Sequence, residues 1–145
     1  YRNETISSRS HVIFHQFDGI YIDRNVTFQD LLATKEEFYS RLFGERVEIR
    51  TRPSYFPFVE PGMEIDIRCT SCGGSGCSLC KHTGWLEVCG AGMIHPEVLK
   101  EGGLDPDEYS GFAWGGGIER LCLLRHGIPD IRLFMENDMR FLSQF

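Results

Sequence analysis

Apolar and polar positions alternate along much of this chain, the signature of strands with one buried face. Alternation at a period of two predicts strands over residues 11–23, 47–52, 63–68, 85–89 and 109–114. Between the first two the period lengthens to that of a helix: Phe28, Leu31, Leu32, Phe38, Tyr39 and Leu42 fall on one face. Thr27 stands where an N-cap is needed, Asp30 completes a variant of the capping box, and Gly44 ends the run. This aromatic stripe is read as core packing. Pro53 and Pro57 hold the path through Tyr55, Phe56 and Phe58 extended. His95-Pro96 opens a short helix ending at Gly102-Gly103, and residues 118–126 form another, stopped by Gly127. The tail, residues 132–145, has a helical pattern, with Leu133, Phe134, Phe141, Leu142 and Phe145 as packing residues. Hairpin-like spacing of the central strands predicts an antiparallel β-sheet with helices on one side, an α+β fold.

Composition narrows the class. Hydrophobic residues make up 41% and charged residues 25% of the 145, as in an ordinary globular domain. No stretch is apolar for long enough to span a bilayer, and no leader-like segment opens the chain. It begins at Tyr1 rather than Met, so a piece of a longer polypeptide is expected. The formal net charge is −6, with 21 acidic against 15 basic residues, and glutamates interrupt the densest basic stretch, residues 46–52. An autonomous nucleic-acid binder carries a basic footprint, and none is visible. Contact with RNA would fall mostly to another domain or subunit.

Four of the six cysteines lie within residues 69–80, as Cys69-Thr-Ser-Cys72 and Cys77-Ser-Leu-Cys80. Paired C-x2-C turns present four thiolates to one ion, and thiolate softness favours zinc. Gly73, Gly74 and Gly76 let the chain curl between the pairs. Disulfides, free thiols and an iron–sulfur centre are the alternatives, and a reducing cytoplasm is the starting assumption. A closed four-sulfur site leaves no open position for substrate, so a structural role is expected. Strands on both sides place the cluster at the tip of a hairpin. Cys89 and Cys122 lie in apolar surroundings and are read as buried thiols.

Gly115-Gly-Gly-Ile-Glu-Arg120 stands between a predicted strand and a predicted helix. A dinucleotide fingerprint would need a third glycine where Arg120 stands, and no Lys-Ser or Lys-Thr supports a P-loop. By generic rules the run is either a tight turn or a nucleotide loop. The wider order of strings resolves more. Tyr1-Arg-Asn-Glu4 is followed by Phe14-His-Gln-Phe-Asp-Gly19, and Gly111-Phe-Ala-Trp-Gly-Gly-Gly-Ile-Glu-Arg120-Leu comes later. YFPFVEPG (55–62) and WLEVCGAGMIHPEVL (85–99) lie between, and LLRHGIPDIRLF (123–134) follows. In that order they resemble the class II aminoacyl-tRNA synthetases, and among these the bacterial-type phenylalanyl-tRNA synthetase alpha-subunit family, along essentially the whole chain. The cysteine hairpin is the main departure, because many members have a short turn there.

The resemblance implies one partial catalytic domain over residues 1–145, the C-terminal part of a class II fold, with residues 69–80 as a zinc hairpin insertion. It implies activation of phenylalanine by ATP to an adenylate, then transfer to tRNA(Phe). Arg2 and Arg120 would be catalytic: Arg2 on the α-phosphate and substrate carboxylate, Arg120 on the γ-phosphate. Glu4 would read the adenine amino group, Phe14 would stack on the base, and Gly115 and Gly117 would let ATP approach the backbone. Gln16 and Asp18 would face the substrate ammonium. Phe56 and Phe58 would wall the phenylalanine ring, and Ala113 would close the para end, disfavouring tyrosine by leaving its hydroxyl unpaired. Glu60 would hold Mg2+ on the phosphates. The family often has Glu where Asp18 stands, and a family histidine is offset by one place at His11. His15 and His95 are read as structural.

The working enzyme would be a cytoplasmic heterotetramer with beta subunits, and the piece alone is expected to have little activity. A non-catalytic synthetase paralogue and a zinc-knuckle interaction module are the competing classes. Retention of Arg2, Glu4, Phe14 and Arg120 argues against the first. The small share of the chain taken by the cysteine hairpin argues against the second.

Overall fold

The computed structural model of the chain describes residues 1–145. Its elements are β1 (Gln16–Asp23), α1 (Phe28–Phe43), β2 (Ile49–Pro53), β3 (Val59–Arg68), β4 (Trp85–Ile94), α2 (Pro96–Glu101), β5 (Ser110–Gly117), α3 (Ile118–His126), a 3-10 turn (Ile131–Phe134) and α4 (Met139–Leu142). The strands form one sheet in the order β1-β5-β4-β3-β2, antiparallel where β2 meets β3 and where β4 meets β5. This is the α+β arrangement expected. No helix is long and apolar enough to cross a membrane.

Packing divides the chain into two compact units. One comprises residues 17–67 and 87–116, and holds most of the sheet with α1 and α2. Helix α1 starts as its sequence requires: the Thr27 hydroxyl accepts from the Asp30 amide at 3.3 Å, and the Thr27 amide donates to the Asp30 carboxylate at 2.8 Å. It ends at Gly44, whose φ of 75° is left-handed. Leu31, Lys35 and Tyr39 form its buried line, beside Trp114 and Cys89 of the sheet. Of the expected stripe, Leu31 and Tyr39 are buried while Phe28, Leu32, Phe38 and Leu42 are only partly so, and a lysine lies at its centre.

The other unit comprises residues 1–16, 68–86 and 117–145. Leu79, Leu123, Ile128, Ile131 and Phe141 form its buried cluster, with Cys77, Leu133 and Phe134 packed against it. Expectation and structure part company here in two places. The first strand begins at Gln16, not at residue 11: the His15 carbonyl accepts the amide of Ile118 at 2.9 Å, outside any ladder, and the His11 ring turns the chain locally by accepting from the Ile13 amide at 3.1 Å. The tail is not one helix either. Asn137 sits at a φ of 54°, and Asp130 and Asp138 each cap a separate short turn by accepting from the amides of Arg132 and Arg140. Cys89 is buried as expected, whereas Cys122 is only partly so.

Candidate functional site

In the sheet-bearing unit, strand register decides which residues meet. Gly90 pairs with Gly115 and Gly92 with Ala113, so these four positions share one face of the sheet. Trp114 and Gly116 point to the opposite face, toward Lys35 and Phe17 of the helix-covered side. The face bearing Ala113 and Gly115 is carpeted by the Phe56 segment. A Cβ at Gly90 would stand 3.0 Å from the Phe56 ring, and one at Gly92 would stand 2.8 Å from Val59. Phe56 and Phe58 stack with centroids 6.1 Å apart at 27°, and the Phe58 carbonyl accepts from the His95 amide at 3.0 Å. Phe58 remains 54% exposed, an apolar ring edge offered outward. Strand alternation sets Asp18 opposite to Phe17 and Gly19, which face α1 through Phe38 and Trp114. Asp18 therefore lies on the face of Ala113, and it is exposed. Phe56, Ala113 and Asp18 thus share one sheet face, with Gly90 beneath the Phe56 ring and Phe58 stacked beside it. Glu60 is exposed on β3.

In the other unit, Arg2 lies with its guanidinium 4.9 Å above the Phe14 ring and donates to Gln16 Oε1 at 3.2 Å. The Arg2 amide donates to the Val12 carbonyl at 3.0 Å, which ties this first segment down. Glu4 is exposed, and its amide donates to the Arg2 carbonyl at 2.9 Å. Arg120 is partly buried on the first turn of α3, just past Gly117, the helix N-cap. Arg2, Phe14 and Gln16 therefore cluster, Glu4 is joined to Arg2 through the backbone alone, and Arg120 stands at the start of its helix.

Two residues left outside the expected site, His15 and Glu119, join two segments of this unit. Glu119, 6% exposed, accepts the His15 amide with both carboxylate oxygens at 2.9 and 3.0 Å, and meets His15 Nδ1 at 2.6 Å. This ties the segment carrying Phe14 to the turn carrying Arg120. His15 is thus structural, as expected, and so is His95, whose Nδ1 accepts from the Glu97 amide to cap α2. No sequence pattern singles out Glu119, since its partner is far away along the chain.

The four cysteines converge. Their sulfurs all lie within 4.8 Å of one another, with Cys69–Cys77 at 3.8 Å, Cys72–Cys80 at 3.9 Å and Cys77–Cys80 at 3.7 Å. Sulfurs about 2.3 Å from one ion at tetrahedral corners stand about 3.8 Å apart, so these separations match the edges of such a shell. A disulfide needs sulfurs about 2 Å apart, and all four thiols are free. Backbone amides of Gly76 and Cys77 donate to Cys72 and Cys80 at 3.2 and 3.1 Å, stabilising thiolate there. Burial pushes the Cys69 thiol up to about 12, with Cys72 adding to it. At Cys80 burial acts the same way, but the amides of Cys77 and Gly84 outweigh it and bring the thiol down to about 6. The donor set fits a metal ion.

Residues 1–145 match the family described as tRNA synthetases class II core domain (F). The chain belongs to the class II tRNA synthetase core family. All 145 residues of this synthetase core align at 67% identity with the phenylalanine–tRNA ligase alpha subunit of Protochlamydia amoebophila, at 64% with that of Chlamydia felis and at 63% with that of Chlamydia caviae. The chain spans 42% of the length of each relative. Two solved pyrrolysyl-tRNA synthetase structures from Desulfitobacterium hafniense share the fold. Their TM-scores are 0.52 and 0.54, at 18% and 16% identity, covering 91% and 96% of this synthetase core and 41% and 43% of those chains.

Proposed function

We propose that this synthetase core is part of a phenylalanine–tRNA ligase alpha subunit, which activates phenylalanine with ATP and passes it to tRNA(Phe). The observation that carries the reading is 61–67% identity along all 145 residues with proteins of that name. The local geometry supports it. A guanidinium held over an aromatic ring, as Arg2 is over Phe14, presents phosphate-binding donors beside a surface on which a purine can stack. The Phe56–Phe58 stack over a glycine-floored sheet face suits an aromatic side chain, with Ala113 limiting its para end.

In this reading the phenylalanine carboxylate attacks the α-phosphorus, pyrophosphate leaves, and the adenylate's carbonyl is then taken by a tRNA hydroxyl with release of AMP. Arg2 neutralises charge gathering on the α-phosphate, Arg120 holds the γ-phosphate, and Glu4 and Phe14 orient the adenine. Gly115 and Gly117 leave room for the nucleotide. Gln16 and Asp18 bind the ammonium, keeping the carboxylate free to react. Glu60 offers a hard oxygen donor for Mg2+, which would neutralise phosphate charge when bound. Cys69, Cys72, Cys77 and Cys80 would hold a structural Zn2+. Beta subunits would complete a cytoplasmic heterotetramer.

The test is phenylalanine-dependent ATP–pyrophosphate exchange by the full-length alpha subunit assembled with beta subunits. Arg120→Ala is expected to lower kcat/KM for ATP, and Phe56→Ala to lower kcat/KM for phenylalanine, each by about a hundredfold and with KM for that substrate raised. Exchange driven by another amino acid, or a Phe56→Ala enzyme with unaltered phenylalanine kinetics, would refute the assignment.

A further inference from the structure

The cysteine segment and helix α3, which carries Arg120 on its first turn, belong to the same compact unit and touch in two ways. Leu79, between Cys77 and Cys80, is 2% exposed and shares one buried cluster with Leu123 of α3, Ile128, Ile131 and Phe141. Thr70, between Cys69 and Cys72, donates its hydroxyl to the Leu124 carbonyl at 3.1 Å. Leu124 lies in the last turn of α3, where carbonyls have no partner within the helix. Both anchors grow from residues inside C-x2-C turns.

Helix α3 needs such anchors. Its nine residues fall short of the roughly 12–15 needed for a helix to stand alone, and Gly117 supplies no side-chain cap. Its N-terminal end is held by Glu119 on His15 and by the Ile118 amide on the His15 carbonyl. Its C-terminal half is held by Leu79 and Thr70. We propose that the metal-bound cysteine segment is the C-terminal clamp of α3, so that metal occupancy sets the placement of Arg120 on the phosphates of ATP. Leu79 and Thr70 are then positioning residues that act through the helix. Without the ion, four thiols no longer fix the two turns, Leu79 leaves its cluster, and the Leu124 carbonyl loses its donor.

The clamp rests on the proposed ATP role of Arg120, and the experiment separates the two. Full-length alpha subunit assembled with beta subunits is compared as wild type, chelator-stripped, Leu79→Ala and Thr70→Val. The readouts are bound zinc, hydrogen exchange of the 121–124 amides, and separate KM values for ATP and phenylalanine. Leu79→Ala keeps all four ligands and is expected to retain zinc. Its α3 amides exchange faster, KM for ATP rises by about tenfold, and KM for phenylalanine stays within about twofold. Stripped enzyme shows the same split, and re-addition of Zn2+ reverses it. Thr70→Val removes one hydrogen bond, shows a smaller form of the split, and serves if Leu79→Ala does not fold. Wild-type α3 exchange and ATP kinetics in stripped enzyme overturn the clamp, as does an equal rise in both KM values. If Arg120→Ala leaves KM for ATP unmoved, the ATP role fails while α3 exchange still decides the clamp.

Discussion

Gly19 faces the Trp114 indole so closely that a Cβ there would stand 2.2 Å from the ring. On the same side of the sheet, Lys35 is 1% exposed, with its ammonium 4.8 Å from the Phe38 ring centroid, 5.0 Å from Trp114, 5.1 Å from Tyr39 and 6.0 Å from Phe17. Burial holds the Lys35 amine below its ordinary pKa, opposed by the Cys89 thiol beside it. These contacts press Trp114 against β1, with Ala113 on the reverse side of β5. Gly19→Ala is therefore expected to destabilise the protein by about 1–3 kcal/mol through overpacking, measured by urea denaturation. Lys35→Ala should cost about 2–4 kcal/mol by the same assay, since it leaves a cavity and removes the cation from its rings, and Lys35→Met should recover most of the loss. The helical stripe was legible in the sequence as a core face. That a lysine completes it was not, because only three-dimensional packing puts four aromatic rings around one ammonium.

Strands β2 and β3 show what register adds to a sequence pattern. Alternation sets Arg50 and Arg52 on one side of β2, and Glu64 and Asp66 on one side of β3. Only the pairing of Arg50 with Asp66 and of Arg52 with Glu64 makes them partners. Asp66, 2% exposed, accepts from Arg50 Nη2 at 2.6 Å and from Arg52 Nε and Nη2 at 2.7 and 2.8 Å. Burial alone would raise its pKa, but the two guanidinium groups outweigh that and hold it below its ordinary 3.8. The unfolded chain therefore takes up this proton first as pH falls. Asp66 contributes stability above pH 3.8 that is lost as pH drops through its folded value. Asp66→Asn should cost about 1–3 kcal/mol at neutral pH, because it removes the carboxylate shared by two half-exposed arginines while Arg52 keeps Glu64, and should flatten the acid limb of stability below pH 3.8. Thermal midpoints of both proteins across that range check it.

At the scale of the whole molecule, the chain has two compact units and spans 42% of the length of its relatives. The 145-residue chain alone is expected to show no robust phenylalanine-dependent pyrophosphate exchange; vigorous exchange would show that the remaining length of such subunits is dispensable for activation. Metal analysis of the purified protein should find about one zinc per chain, and a chelator should lower its thermal midpoint, because binding energy at a structural site is folding energy. Less than half an equivalent of zinc would argue against the four-sulfur site.

By itself the sequence determined what is local or carried in strings of neighbours: the capped helix at Thr27, the strand alternation, the paired C-x2-C turns and the ordered motifs that resemble a synthetase. Those depend on residues a few positions apart, where backbone geometry leaves few choices. Tertiary structure alone decided the rest. It put Phe56 over Gly90 beside Gly115, joined Arg50 and Arg52 to Asp66, and split the tail at Asn137. It also pinned His15 to Glu119, so that the first strand begins at Gln16. Each of these is a contact between distant segments, set by which surfaces can be buried together, and no periodicity along a single chain encodes that pairing.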